Sequence, residues 1–192
     1  MAVQLSEARV LITGGTSGIG RAVAVTLASH GAVVAVSGRN AERGQQVVGE
    51  IESTGGKAEF LSSDLHDAES ARLLAAEAVT RLGHIDVLVN SAGVYPFGPT
   101  ESMTEEDFTA VFNLNVRVPF FLVAELAPKM AERGNGVIVN LRPLPADPDL
   151  PERLRGHSAR MRSPGTRRWL LAPPVRLRRA ARAPRDRSIE GL

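Results

Sequence analysis

With 192 residues, 43% of them hydrophobic, the chain is long enough for one domain with a sizeable core. It has no cysteine, which excludes a disulfide framework and thiolate metal sites, and a reducing cytoplasm is the compartment expected. The formal charge of +2 conceals an asymmetry, because residues 1–141 carry 10 Lys and Arg against 16 Asp and Glu, whereas residues 142–192 carry 13 Arg against 5 acids. No run of roughly 18 apolar residues occurs and no cationic segment opens the chain. Neither a membrane span nor a signal peptide is therefore expected.

Residues 1–141 alternate short β-branched runs with amphipathic stretches, as a parallel sheet with helical crossovers requires. Residues 9–13 read as the first strand. A helix over 18–29 follows, with Ile19, Val23 and Leu27 at four-residue spacing expected to face the sheet. Residues 32–37 form a second strand, apolar on both alternating faces and so buried on both. A helix over 40–53 is closed by Gly55-Gly56. A strand over 58–61, a helix over 67–82 and a strand over 85–89 come next. A helical region from about 104 to 133, expected to bend near Pro119 and Pro128, precedes the fifth strand at 137–141. Thr104 and Asp107 form a capping box at its start. The fold class expected is α/β, a doubly wound parallel sheet.

Beyond Leu141 the periodicity stops. Residues 142–192 hold 8 of the 12 prolines and no Lys, Asn, Gln, Phe or Tyr. Prolines at 143, 145, 148 and 151 exclude a central strand or a helix interior there. The expected organisation is an α/β domain over 1–141 and an irregular, Arg- and Pro-rich basic tail over 142–192.

Thr13-Gly14-Gly15-Thr16-Ser17-Gly18-Ile19-Gly20 sits between the first strand and the first helix. Glycine permits the tight turn, and the missing Cβ lets backbone N–H groups approach a pyrophosphate. The helix behind it presents unpaired N–H groups and a positive dipole end. A glycine-rich loop alone is weak; its position between a β-branched run and an amphipathic helix gives it meaning.

The spacing Thr13-Gly14-x-x-x-Gly18-x-Gly20 resembles the nucleotide loop of the short-chain dehydrogenase/reductase family. Asp64-Leu65 falls after the third strand, where that family places an Asp at the adenine ring. Asn90-Ser91-Ala92-Gly93 resembles its Asn-Asn-Ala-Gly, with Ser in place of the second Asn. Asn115 matches the helix Asn that orders a proton-relay water, the one catalytic position of the family still present. From the residues alone, Asp64 reads equally as a helix cap, Asn90 as a turn former and Asn115 as a surface residue. The resemblance implies cofactor contact by Gly14, Ser17, Gly18, Ile19, Gly20, Arg39, Asp64, Leu65, Asn90, Ala92 and Gly93. It implies a Rossmann-like fold of strand order 3-2-1-4-5, incomplete after the fifth strand, and hydride transfer between NAD(P) and a small-molecule alcohol or carbonyl substrate. No metal site is expected.

Cofactor choice turns on the end of the second strand. An NAD enzyme usually places a carboxylate there for the ribose hydroxyls. This chain has Ser37-Gly38-Arg39-Asn40, and Arg39 with Ser37 assisting suits a 2′-phosphate, so NADP is expected over NAD.

The family's catalytic Ser, Tyr and Lys are absent. The Ser belongs two to three residues beyond Asn140, where the chain has Arg142-Pro143; the Tyr and Lys positions hold Gly156 and Arg160. The only tyrosine is Tyr95 and the only lysines are Lys57 and Lys129, so no Tyr-x-x-x-Lys exists in any register. The chain is therefore expected to be inactive. Three readings of the tail follow. The favoured one is out-of-frame translation, since Arg, Pro, Ala and Gly, all with GC-rich codons, supply 30 of its 51 residues. A nucleic-acid-binding arm is disfavoured, because its arginines are scattered through Pro- and Ala-rich sequence. A non-catalytic NADP-binding protein that acts on a partner is the third. The family's homo-oligomer interface is expected to be incomplete.

Overall fold

The computed structural model describes residues 4–95 and 99–141; the expected irregular tail lies outside the described residues. Five parallel strands form one sheet: β1 (Arg9–Thr13), β2 (Val33–Gly38), β3 (Lys57–Ser62), β4 (Val87–Asn90) and β5 (Val137–Asn140). Their order is β3-β2-β1-β4-β5, the order that the family resemblance implied. The helices are α1 (Gly18–Ser29), α2 (Ala41–Ser53), α3 (Ala68–Leu82), α4 (Glu105–Phe112) and α5 (Val118–Arg133).

Strand alternation divides the core into two layers. Leu11, Ala35, Leu61 and Leu88 point one way, into Leu74 and Ala78 of α3 and Leu122, Leu126 and Met130 of α5. Val10, Ile12, Val34, Val36 and Val89 point the other way, into Ala24 and Ala28 of α1 and Val47 and Ile51 of α2. Both faces are covered, which is why these strands read as continuous apolar runs. At the amino end of the sheet, the buried Asp86 accepts the Arg9 backbone N–H at 3.0 Å and faces His84 Nε2 at 3.2 Å. Arg133, at the end of α5, donates to the Ile85 carbonyl at 2.6 Å, so the helix end is fastened to the strand it packs on.

Two details depart from the sequence expectation. The buried line of α1 is Gly20, Ala24 and Ala28, not Ile19, Val23 and Leu27. Gly20 lies so close to the loop before it that a Cβ there would collide with the Gly14 carbonyl oxygen. Small residues form the contact line because the helix sits tight on the sheet; Val23 and Leu27 pack from its flanks, and Ile19 is left 39% exposed.

The second departure concerns the long helix. Its irregularity is a π-helical turn at Asn113–Arg117, just ahead of Pro119, and α5 runs through Pro128 as one helix. Pro119 has no N–H for the Asn115 carbonyl four residues back, and its ring crowds that oxygen. The ladder widens instead, and the Val118 N–H reaches the Asn113 carbonyl. Glu105–Arg133 is long and apolar enough to cross a membrane by length and composition. One of its faces, Val118, Leu122, Leu126 and Met130, is nevertheless built into the core. The opposite face exposes Phe108, Phe112, Val116 and Phe120.

This division has a measurable consequence. Leu122 is fully buried, so Leu122→Ala should cost about 2–5 kcal/mol of stability in urea denaturation. Phe120→Ala, on the outer face, should cost no more than about 0.5 kcal/mol. Equal losses would mean that the outer face is covered as well.

Candidate functional site

The carboxyl ends of β1 to β4 bring the predicted residues to one edge of the sheet. The joint between β1 and β4 organises it. Thr13, 1% exposed, accepts the backbone N–H groups of Ser91 and Ala92 on its hydroxyl at 3.1 and 3.0 Å. Gly14 follows at φ +63°, and a Cβ on it would stand 2.9 Å from the Ala92 Cα. Only a glycine lets the two loops meet this closely. Gly18, at φ +54°, is different: a Cβ there would meet nothing within 4 Å. Its backbone angle requires glycine and leaves bare main chain over open space, the kind of cradle a phosphate needs.

Gly15 was not singled out by the sequence, yet its Cβ would stand 2.8 Å from the Val36 side chain. Ser17 is exposed at the start of α1, and Gly20 is buried beneath the loop. Arg39 and Asp64, from the ends of β2 and β3, approach to 4.0 Å with both side chains largely in solvent. Such an exposed pair is worth little in stability. Asp64 does not cap the next helix. Asp67 does, accepting the Ser70 N–H at 2.8 Å, and its carboxyl is held below the usual range by that bond, then by the Ser70 hydroxyl. Leu65 puts its side chain into the core, leaving its main chain to any ligand.

Ser37 corrects an expectation. Its side chain alternates with Val36 and lies on the α3–α5 face, fully buried, so it does not reach outward beside Arg39. Register places Ser37, Thr13, Asn90 and Asn140 side by side across the sheet. Asn90 Nδ2 donates to Asn140 Oδ1 at 2.8 Å, while Ser37 Oγ and Asn90 Oδ1 are buried without a hydrogen-bond partner among the described residues. The signal for this polar row was present in the sequence: each of these residues closes a β-branched run.

Asn115 occupies the π turn and clasps the loop after β4. Its Oδ1 accepts the Val94 N–H at 2.9 Å and its Nδ2 donates to the Val94 carbonyl at 2.8 Å. Asn90, Ala92 and Gly93 thus sit between two anchors, Thr13 and Asn115. Lys57 opens β3 at the amino end of the sheet, and Lys129 lies on α5.

Sheet order, glycine loop and strand-end residues together define a Rossmann-like α/β domain. The family model for short chain dehydrogenase matches residues 8–144, and the chain belongs to that family. An uncharacterized oxidoreductase of Thermotoga maritima is 42% identical over 132 residues, covering 69% of this chain and 52% of that protein. A 3beta-hydroxysteroid dehydrogenase of Mediterraneibacter gnavus is 40% identical over 139 residues, covering 72% of this chain and 50% of the relative. A metagenomic short-chain oxidoreductase solved with NADP superposes with a TM-score of 0.70 at 34% identity, covering 76% of this chain and 65% of that one. The chain spans about half the length of the curated relatives it matches.

Thr13→Val keeps the shape and removes the acceptor. Two part-buried N–H groups then lose their partner, and the variant should be less stable by about 1–3 kcal/mol in urea denaturation. A loss below about 0.5 kcal/mol would show that the joint does not depend on this hydroxyl.

Proposed function

We propose that the chain binds NADP across the carboxyl edge of its sheet and, with the residues it possesses, performs no hydride transfer. The observation that carries the binding reading is the glycine cradle, where the bare main chain of Gly18 faces open space beside the amino end of α1. In this reading Gly14, Ser17, Gly18 and Ile19 face the pyrophosphate, with Gly20 holding α1 against the loop. Asp64 and the main chain of Leu65 flank the adenine ring, and Arg39 favours the phosphorylated ribose. Asn90, Ala92 and Gly93 border the nicotinamide half.

When bound, the nicotinamide ring supplies the hydride chemistry. A hydride moved to or from a carbon needs a proton moved to or from the neighbouring oxygen. The family's groups for that are a Ser, a Tyr and a Lys, and this chain has no Tyr-x-x-x-Lys. Asn115 is committed to Val94, and Tyr95 lies after β4 with Pro99 four residues on. The substrate class of the intact protein is a small alcohol or carbonyl compound, acted on in a reducing cytoplasm. The Arg- and Pro-rich segment 142–192 reads as an out-of-frame continuation.

Two measurements test this. Titration of the full chain with NADPH should give saturable fluorescence enhancement, with no NADPH consumption when simple ketones and aldehydes are added. Absence of saturable binding by folded protein would remove the binding reading, and consumption above the protein-free rate would remove the inactive one. Coding DNA across codons 135–192 should contain a second frame with Ser just after Asn140 and Tyr-x-x-x-Lys about thirteen residues later. Its absence would make the basic tail a genuine part of the protein.

A further inference from the structure

We propose that the outer face of α4 is a docking surface whose occupant is a segment of this same chain, Arg167-Arg168-Trp169-Leu170-Leu171. α4 buries none of its residues against the rest of the domain. Phe108 and Phe112 stack on its outer side with ring centroids 6.3 Å apart, and the exposed Val116 continues the row. Beside this row stand Glu101, Glu105 and Glu106, all exposed and none paired with a cation among the described residues. Acids in a first turn answer the helix dipole, which accounts for their sign. The dipole does not account for the aromatic row. Exposed rings beside unpaired acids suit a partner that is both cationic and aromatic.

The chain carries such a partner. From Arg153 to Arg185, outside the described residues, it holds 11 Arg and no acid. Trp169-Leu170-Leu171-Ala172 is the one run of four apolar residues in the tail, and two arginines precede it. This charge opposes that of residues 1–141, with 16 acids against 10 bases. The tail also starts in the right place. Leu141 donates its N–H to the Asn90 carbonyl at 2.8 Å, and the loop that follows Asn90 is clasped by Asn115, which lies between Phe112 and Val116. From that point the 25 residues 142–166 can span up to about 80 Å, whereas α4 and the π turn together measure only about 20 Å. Such a tether holds the segment at an effective concentration on the order of a millimolar. A second copy, micromolar in solution and bringing the same acids, competes poorly for the face. Phe120, farther along α5, lies outside the footprint. The contact depends on the residues present, whatever reading frame they come from.

Trp169 reports the contact directly, because the full chain has no other Trp. In the folded chain at low micromolar concentration, acrylamide should quench it at least about three-fold less than in urea, independently of protein concentration. Glu105→Lys combined with Glu106→Lys should raise the quenching at least about two-fold, and Phe108→Ser alone should do the same. Adding Arg167→Glu and Arg168→Glu to the charge-reversed chain should restore the shielding. Since α4 buries nothing, these variants keep their core, which circular dichroism checks. Phe120→Ser should leave the quenching unchanged. The proposal is overturned if Trp169 in the folded wild-type chain is quenched as in urea, or if the charge-reversed chain shields it as well as the wild type. It is equally overturned if the paired reversal restores nothing, or if Phe120→Ser acts as strongly as Phe108→Ser. Shielding that rises with protein concentration would give the face to a second copy and overturn it too.

Discussion

Two backbone N–H groups, those of Ser91 and Ala92, end on one buried hydroxyl, that of Thr13, and the ligand edge of the sheet depends on this joint. It holds the loop after β4 down onto the loop after β1. Gly14 can then touch Ala92 with no side chain between them, and Gly20 can touch the Gly14 carbonyl. Each contact requires the next. A side chain at Gly14 or Gly20 would force the loops apart and lift α1 from the sheet, and the cradle at Gly18 would lose its place above the strand ends.

The same edge carries a polar cost. Ser37, Thr13, Asn90 and Asn140 form a row across four strands, and two of its oxygens are buried without a partner among the described residues. A buried unsatisfied polar atom costs about 1–3 kcal/mol, and the apolar layers two residues below must offset it. The row lies one residue before the loops that border the proposed ligand. Thr13 holds those loops from below and Asn115, in its π turn, holds the loop after β4 from the side.

The long helical region shows how one element serves two environments. Pro119 widens the helix at Asn115, which frees that side chain to reach Val94; beyond the turn, α5 buries one stripe against α3 and the sheet. The outer stripe of phenylalanines stays in solvent among the described residues. By helix length and composition together this segment could cross a membrane, but the packing makes its inner stripe a core face.

Strand order, helix positions and the glycine loop were legible in the sequence because each depends on local chemistry: β-branched runs, capping residues and the freedom of glycine. The absence of Tyr-x-x-x-Lys was equally plain, since a residue type either exists in the chain or does not. What the sequence could not decide was which side of an element each residue uses. Ile19, Val23 and Leu27 have helical spacing, yet the buried line is one position on, at Gly20, Ala24 and Ala28, because the helix approaches the sheet too closely for larger side chains. Ser37 was placed beside Arg39 by proximity in the chain, whereas strand alternation turns it into the interior. The open groove between α1 and α2 likewise comes from packing of segments more than ten residues apart, which only the tertiary structure fixes.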